Sequence, residues 1–153
     1  MRVLGLDPGT RRIGTALSDP GGTIALPLGV VERTGSKQDL AALAQLVRDH
    51  DVKRVVIGLP IHMDGRIGKE AKAAKALAAA LCKETGIPVE TQDERWTSVE
   101  AERTLASTAT GRGRSRRREE KRRERVDALA ATLILRTYLA RLDSMNDDSG
   151  PSR

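Results

Sequence analysis

Three acidic points in the chain could do chemistry together: Asp7, the adjacent pair Asp93 and Glu94, and Asp127. Asp7 closes the apolar run RVLGL and opens DPGTRRIG. An Asp-Pro-Gly start also suits a plain turn. A second apolar segment begins at once, however, so this is not the strand-to-helix phosphate loop of nucleotide-binding folds. Gly9 and Gly14 would let a backbone or a phosphate come close, and Thr10 adds a hydroxyl. Two consecutive side chains on an extended chain point to opposite faces, so at most one of Asp93 and Glu94 faces a shared site, and either fits. Asp127 lies in RVDALAATLIL, where Ala130, Ala131 and Ile134 share its helical face. A carboxylate on that small, apolar stripe needs a cation, either Arg123 one turn earlier or a metal ion. Converging carboxylates repel one another unless they hold divalent cations. An all-oxygen set suits Mg²⁺ or Mn²⁺ rather than zinc, and His50 and His62 show no metal-ligand spacing.

The elements that must position these groups follow from periodicity. Residues 2–6, 13–18 and 23–31 read as strands joined by DPGTRR and DPGG, an antiparallel meander. Residues 36–52 read as a helix capped by Ser36 with Asp39 three residues on. RVVIGLP, 54–60, is a buried strand. An alanine-rich helix over 68–85 is stopped by Gly86 and Pro88. PVETQDE is a fifth strand, and Thr97 with Glu100 opens a helix over 98–106. A last helix spans about 119–142, and residues 143–153 read as a disordered tail. The order predicts an α/β fold: a single domain over 1–142 with a five-stranded mixed sheet and helices on both faces.

Charge narrows the function. The chain has 27 Lys and Arg against 21 Asp and Glu, a net +6. RGRSRRREEKRRER, residues 112–125, holds nine basic and three acidic residues, so this segment alone carries the whole excess. Such a cluster fits a phosphate-backbone partner better than an idle solvated helix face. Trp96 and Tyr138 are the only aromatic residues, so base stacking cannot be the grip. One cysteine, Cys82, rules out an intrachain disulfide and suits a reducing cytoplasm. No uncharged stretch long enough for a membrane span occurs, and no signal peptide is visible.

LGLDPGTRRIG, VVIGLPIHMDGRIG, DERWTSVEAE and RVDALAATLIL resemble, in order and spacing over about residues 1–140, the signature segments of the YqgF (RuvX) family. Its members are ribonuclease H-like proteins described as Holliday junction resolvases and as pre-16S rRNA nucleases. The resemblance implies a ribonuclease H-like fold, with catalytic acids on Asp7, Asp93 or Glu94, and Asp127, and metal ligands on Asp7, Glu94 and Asp127. It implies a metal-dependent nuclease using two Mg²⁺ or Mn²⁺ ions about 4 Å apart, which activate a water and stabilise the leaving oxygen. Phosphates of structured RNA or branched DNA would be positioned by Gly9, Thr10, Arg95, Thr97, Arg112, Arg114, Arg116, Arg117, Arg118, Lys121 and Arg122. The reading favours 5′-end processing of pre-16S rRNA over junction resolution, in a monomer or a homodimer. Trp96 departs from the usual Leu and reads as a core contact.

Two other readings stand beside it. DPGT also resembles the first phosphate loop of the sugar-kinase and chaperone ATPases, but those pair two such domains around the nucleotide. A non-catalytic RNA-binding assembly factor would keep the basic segment without cutting.

Overall fold

The computed structural model describes residues 1–60, 68–93 and 115–148. Five strands form one sheet: β1 (Arg2–Pro8), β2 (Arg12–Ser18), β3 (Ala25–Glu32), β4 (Val52–Leu59) and β5 (Val89–Asp93), in the order β3-β2-β1-β4-β5. Short turns make β1, β2 and β3 antiparallel, while β4 and β5 run parallel to β1. Helices α1 (Ser36–Asp49) and α2 (Lys69–Thr85) supply the crossovers. Helix α3 (Arg116–Asp148), 33 residues and about 50 Å long, covers the other face. The expected mixed sheet with helices on both faces is what the chain builds. The expected helix over 98–106 lies outside the described residues.

The alternation of each strand sorts its side chains between two cores. Leu4 and Leu6 of β1, with Val55, Ile57 and Leu59 of β4, pack against Leu43 and Val47 of α1 and Ala71, Ala74 and Leu81 of α2. Val3 and Val56 take the alternate positions and meet Ala130, Ala131, Ile134 and Leu135 of α3. Each fully buried Leu, Ile or Val contributes about 1.5–3 kcal/mol. The buried alanines of α2 recur at helical spacing and let it lie close to α1 and the sheet. That helix ends as expected at Gly86, left-handed at φ 73°, whose N–H donates to the Cys82 carbonyl at 2.9 Å.

Three local expectations change. Ser36 does not cap α1: it already lies in the first turn, and Gly35 is the flanking residue. Asp39, buried, instead accepts the Thr34 backbone N–H at 3.0 Å and Arg33 Nε at 3.4 Å, tying the β3–α1 connection to the helix. Helix α3 starts three residues before 119, where Ser115 Oγ accepts the Arg118 N–H at 3.4 Å. It also runs through 143–148, part of the expected disordered tail, because nothing there breaks a helix and Ser144 Oγ donates to the Ala140 carbonyl at 3.1 Å. Residues 149–153 lie outside the described residues.

Candidate functional site

Asp7 occupies the last α3-facing position of β1. Leu4 and Leu6 point toward α1 and α2, so Val3, Gly5 and Asp7 point toward α3. Two glycines let that helix approach closely. A Cβ on Gly5 would fall 2.8 Å from Leu135 Cβ. A Cβ on Gly14 would overlap the Asp127 carbonyl oxygen and lie 2.6 Å from the Asp127 carbonyl carbon. Gly14 is the cross-strand partner of Asp7. The register and the glycine therefore bring Asp7 and the Asp127 turn of α3 together over one spot on the sheet. Asp7 is 3% exposed, and the Asp127 side chain is 30% exposed.

The adjacent acids are separated by pairing. Gln92 turns to the α3 face, where its Nε2 donates to the Ile134 carbonyl at 3.0 Å. Asp93 pairs with Leu59, whose side chain packs toward α1 and α2. Alternation thus sends Asp93 to the face opposite Asp7 and Asp127. Glu94 lies outside the described residues, as do Arg95, Trp96, Thr97, Arg112 and Arg114.

Sequence reasoning missed Arg12. It begins β2 on the same face as Gly14 and Ala16, and it is 6% exposed. Its Nε donates to Glu32 Oε1 at 3.1 Å across the β2–β3 pair. Nη2 lies 3.6 Å from Glu120 Oε1, and Nη1 lies 3.9 Å from Asp127 Oδ2. Among the described residues, Arg12, from another element, is a cation beside Asp127, while Arg123 approaches Glu119 at 3.9 Å. The signal was its parity with Gly14 and Ala16, hidden because DPGTRR reads as a linker.

These groups border a groove of about 860 Å³ between α2 and the first turns of α3, at the end of the sheet where β1 and β4 finish. Gly9, Thr10, Arg122 and Asp127 line it, with Arg11, Arg33, Lys69 and Arg123 adding positive charge from both sides. Pro60, Ala73 and Leu77 form its apolar wall. Arg33 is braced there, its Nη1 donating to the Gly9 carbonyl at 2.7 Å. Arg116, Arg117, Arg118 and Lys121 are exposed farther along α3. The first turn of a helix favours anions, so three arginines there intensify an already positive end.

Among the described residues no group of three or more His, Cys, Asp or Glu side chains gathers as a cation cage. Asp7 and Asp127 offer only carboxylate oxygens, a donor type that fits a hard divalent cation. Among the described residues, no helix is long and apolar enough to cross a membrane.

A family model described as RuvX, Holliday junction resolvase, matches residues 1–141. A relative from Moorella thermoacetica named "Putative pre-16S rRNA nuclease" is 47% identical over 142 residues, 93% of this chain and 96% of its own. One of the same name from Myxococcus xanthus is 44% identical over 139 residues, 91% and 87% of the two chains. Among solved structures, Thermus thermophilus RuvC in complex with a Holliday junction substrate aligns with a TM-score of 0.57 at 17% identity, over 94% of this chain and 97% of that one. The Fowlpox virus resolvase with Holliday junction DNA aligns at 0.54 and 11% identity, over 93% and 99%. At these identities the structures speak for the fold, which is ribonuclease H-like. With the family model matched across nearly the whole chain and curated relatives above 40% identity, the chain belongs to the RuvX family.

Proposed function

We propose that this chain is a divalent-metal-dependent nuclease that hydrolyses phosphodiester bonds, and that it trims the 5′ end of pre-16S rRNA in the cytoplasm during ribosome biogenesis. The observation that carries the reading is the meeting of buried Asp7 with the Asp127 turn at one end of a groove rich in arginine. The names of the curated relatives favour the rRNA precursor.

Asp7 and Asp127 would hold Mg²⁺ or Mn²⁺ together with Glu94, since Asp93 points to the other face. A bound cation supplies Lewis-acid polarisation and an activated water. The protein's own groups bind and orient. Arg122 and Arg123 on α3 and Arg33 and Lys69 opposite would hold phosphates on both sides of the groove. Thr10 and the Gly9 backbone suit the strand passing Asp7. Arg116, Arg117, Arg118 and Lys121 extend the grip along the helix by charge alone.

Resolution of four-way DNA junctions is the second reading, favoured by the description of the family model. It further requires a symmetric pair of sites. The two are separated by cleavage of a labelled pre-16S leader RNA and a synthetic four-way junction, each with Mn²⁺, with EDTA and with Asp127→Asn. Metal-dependent cutting of the RNA, absent in the variant, is expected. Cutting confined to the junction would move the assignment to resolution, and tight binding without cutting would move it to an assembly factor.

A further inference from the structure

We infer that Arg12 is a positioning residue that acts as the built-in counter-ion of Asp127, competing with the divalent cation for that carboxylate and so setting the affinity of the site for metal. This rests on the metal-dependent reading above. The side chain is 6% exposed at the edge of the groove, and its guanidinium is taken up by carboxylates. It reaches three carboxylates on two elements: Glu32 of β3, and Glu120 and Asp127 of α3. Glu32, at 3.1 Å, is the shortest of the three contacts, and Asp127, at 3.9 Å, is the longest. Arg12 is thus anchored chiefly at the strand edge and lends Asp127 a partial counter-charge.

Three properties follow from that geometry. Without metal, Asp127 sits near Asp7 on a helix drawn tight against the sheet, and Arg12 offsets part of their repulsion. A metal that takes Asp127 does not strand Arg12, because Glu32 and Glu120 still satisfy it. The planar fork also ties the first arginine-rich turns of α3 to the strand edge through Glu120. A lysine, with one compact ammonium, would keep the charge but could not span three partners.

The test is calorimetric titration of the full chain with Mn²⁺ alone, at fixed ionic strength, for wild type, Arg12→Gln, Arg12→Lys and Glu120→Gln. Arg12→Gln removes a positive charge from beside the ligand, as an opposite charge at this range moves carboxylate equilibria by a unit or more. It is expected to bind Mn²⁺ about tenfold more tightly. Arg12→Lys should stay within about twofold of wild type. Glu120→Gln, at an exposed residue, frees Arg12 for Asp127 and should weaken Mn²⁺ binding about threefold. A purely structural Arg12 would give weaker binding in Arg12→Gln, and that result, or unchanged affinity in both Arg12→Gln and Glu120→Gln, overturns the inference. Should Arg12→Gln fail to fold, Glu120→Gln decides alone. A wild-type chain that binds no Mn²⁺ overturns the metal reading itself along with the inference.

Discussion

Replacing Gly14 by Ala tests the feature on which the whole site depends. The added Cβ would lie 2.6 Å from the Asp127 carbonyl carbon and 3.3 Å from the Ala128 nitrogen. Non-bonded carbons sit comfortably at about 3.5–4.0 Å, so α3 must back away by about 1 Å. The obstacle is helix backbone, which has no rotamer with which to escape. Nor can the helix shift at one turn only, because Gly5 on the neighbouring strand β1 receives the Ala131 carbonyl and Leu135 farther along the helix. Overpacking of this kind costs about 1–3 kcal/mol, and a backbone target puts it at the upper end. For a domain of this size about 3 kcal/mol corresponds to a fall in Tm of about 6–12 °C. An Asp127 displaced by about 1 Å should also lower cleavage about 100-fold per folded molecule. Urea unfolding followed by circular dichroism, with leader-RNA cleavage normalised to folded protein, reads both. Gly86→Ala is the control: it meets nothing within 4 Å and bears only the strain of its positive φ, about 1 kcal/mol, with cleavage unchanged. A Gly14→Ala chain with the wild-type midpoint and wild-type cleavage would refute the close approach and the site built on it.

Four further outcomes are expected. Asp7→Asn should abolish cleavage while leaving RNA affinity within about twofold in a filter-binding assay, since the phosphate grip lies elsewhere. Changing Arg116, Arg117 and Arg118 together to Gln should reduce the salt dependence of RNA binding, with log K against log salt losing about 0.7–0.9 of slope per phosphate contact removed. Burial raises the Tyr138 hydroxyl above its ordinary value of 10, with its hydrogen bond from Arg54 at 3.2 Å opposing. The neutral hydroxyl is thus favoured by folding, so its stabilisation is full below pH 10 and is lost as pH rises through the folded value. As the chain's single tyrosine it can be followed by phenolate absorbance, and Tyr138→Phe should remove that alkaline loss of stability. Asp39→Ala leaves the Thr34 N–H and the Arg33 Nε without their acceptor and should cost about 1–3 kcal/mol by urea unfolding.

Much of the fold is legible locally. Alternation marks the strands, Gly86 ends α2 through its left-handed backbone, and the apolar stripe of Ala130, Ala131 and Ile134 announces a sheet-facing helix. The losses arise where long-range pairing decides. Whether Asp93 or its neighbour faces Asp7 depends on the β4–β5 register, which no local pattern encodes. Arg12 looked like part of a linker because its meaning rests on which face of β2 a helix over a hundred residues away would cover. Arg123, one turn from Asp127, was the nearer cation in sequence, yet the strand residue sits beside the carboxylate. The length of α3 was underestimated for the opposite reason. Its last turns lack an apolar stripe and are carried by local helix formation rather than by packing.

The single rod of α3 also has a consequence for the timing of synthesis. A ribosome releases the N-terminal part of a chain first, so β1, β2 and the crossover helices emerge while α3 is still unmade. During that interval Val3, Ala16 and Val56 lack their cover, and Asp7 lacks its neighbour from the last helix. The arginine-rich turns arrive on the same piece as Asp127. Closure of the second core and the approach of the Asp127 turn to Asp7 therefore come in one docking event. A nascent fragment that ends before α3 lacks Asp127 and the arginines of that helix, which is a useful safeguard for a nuclease born on a ribosome.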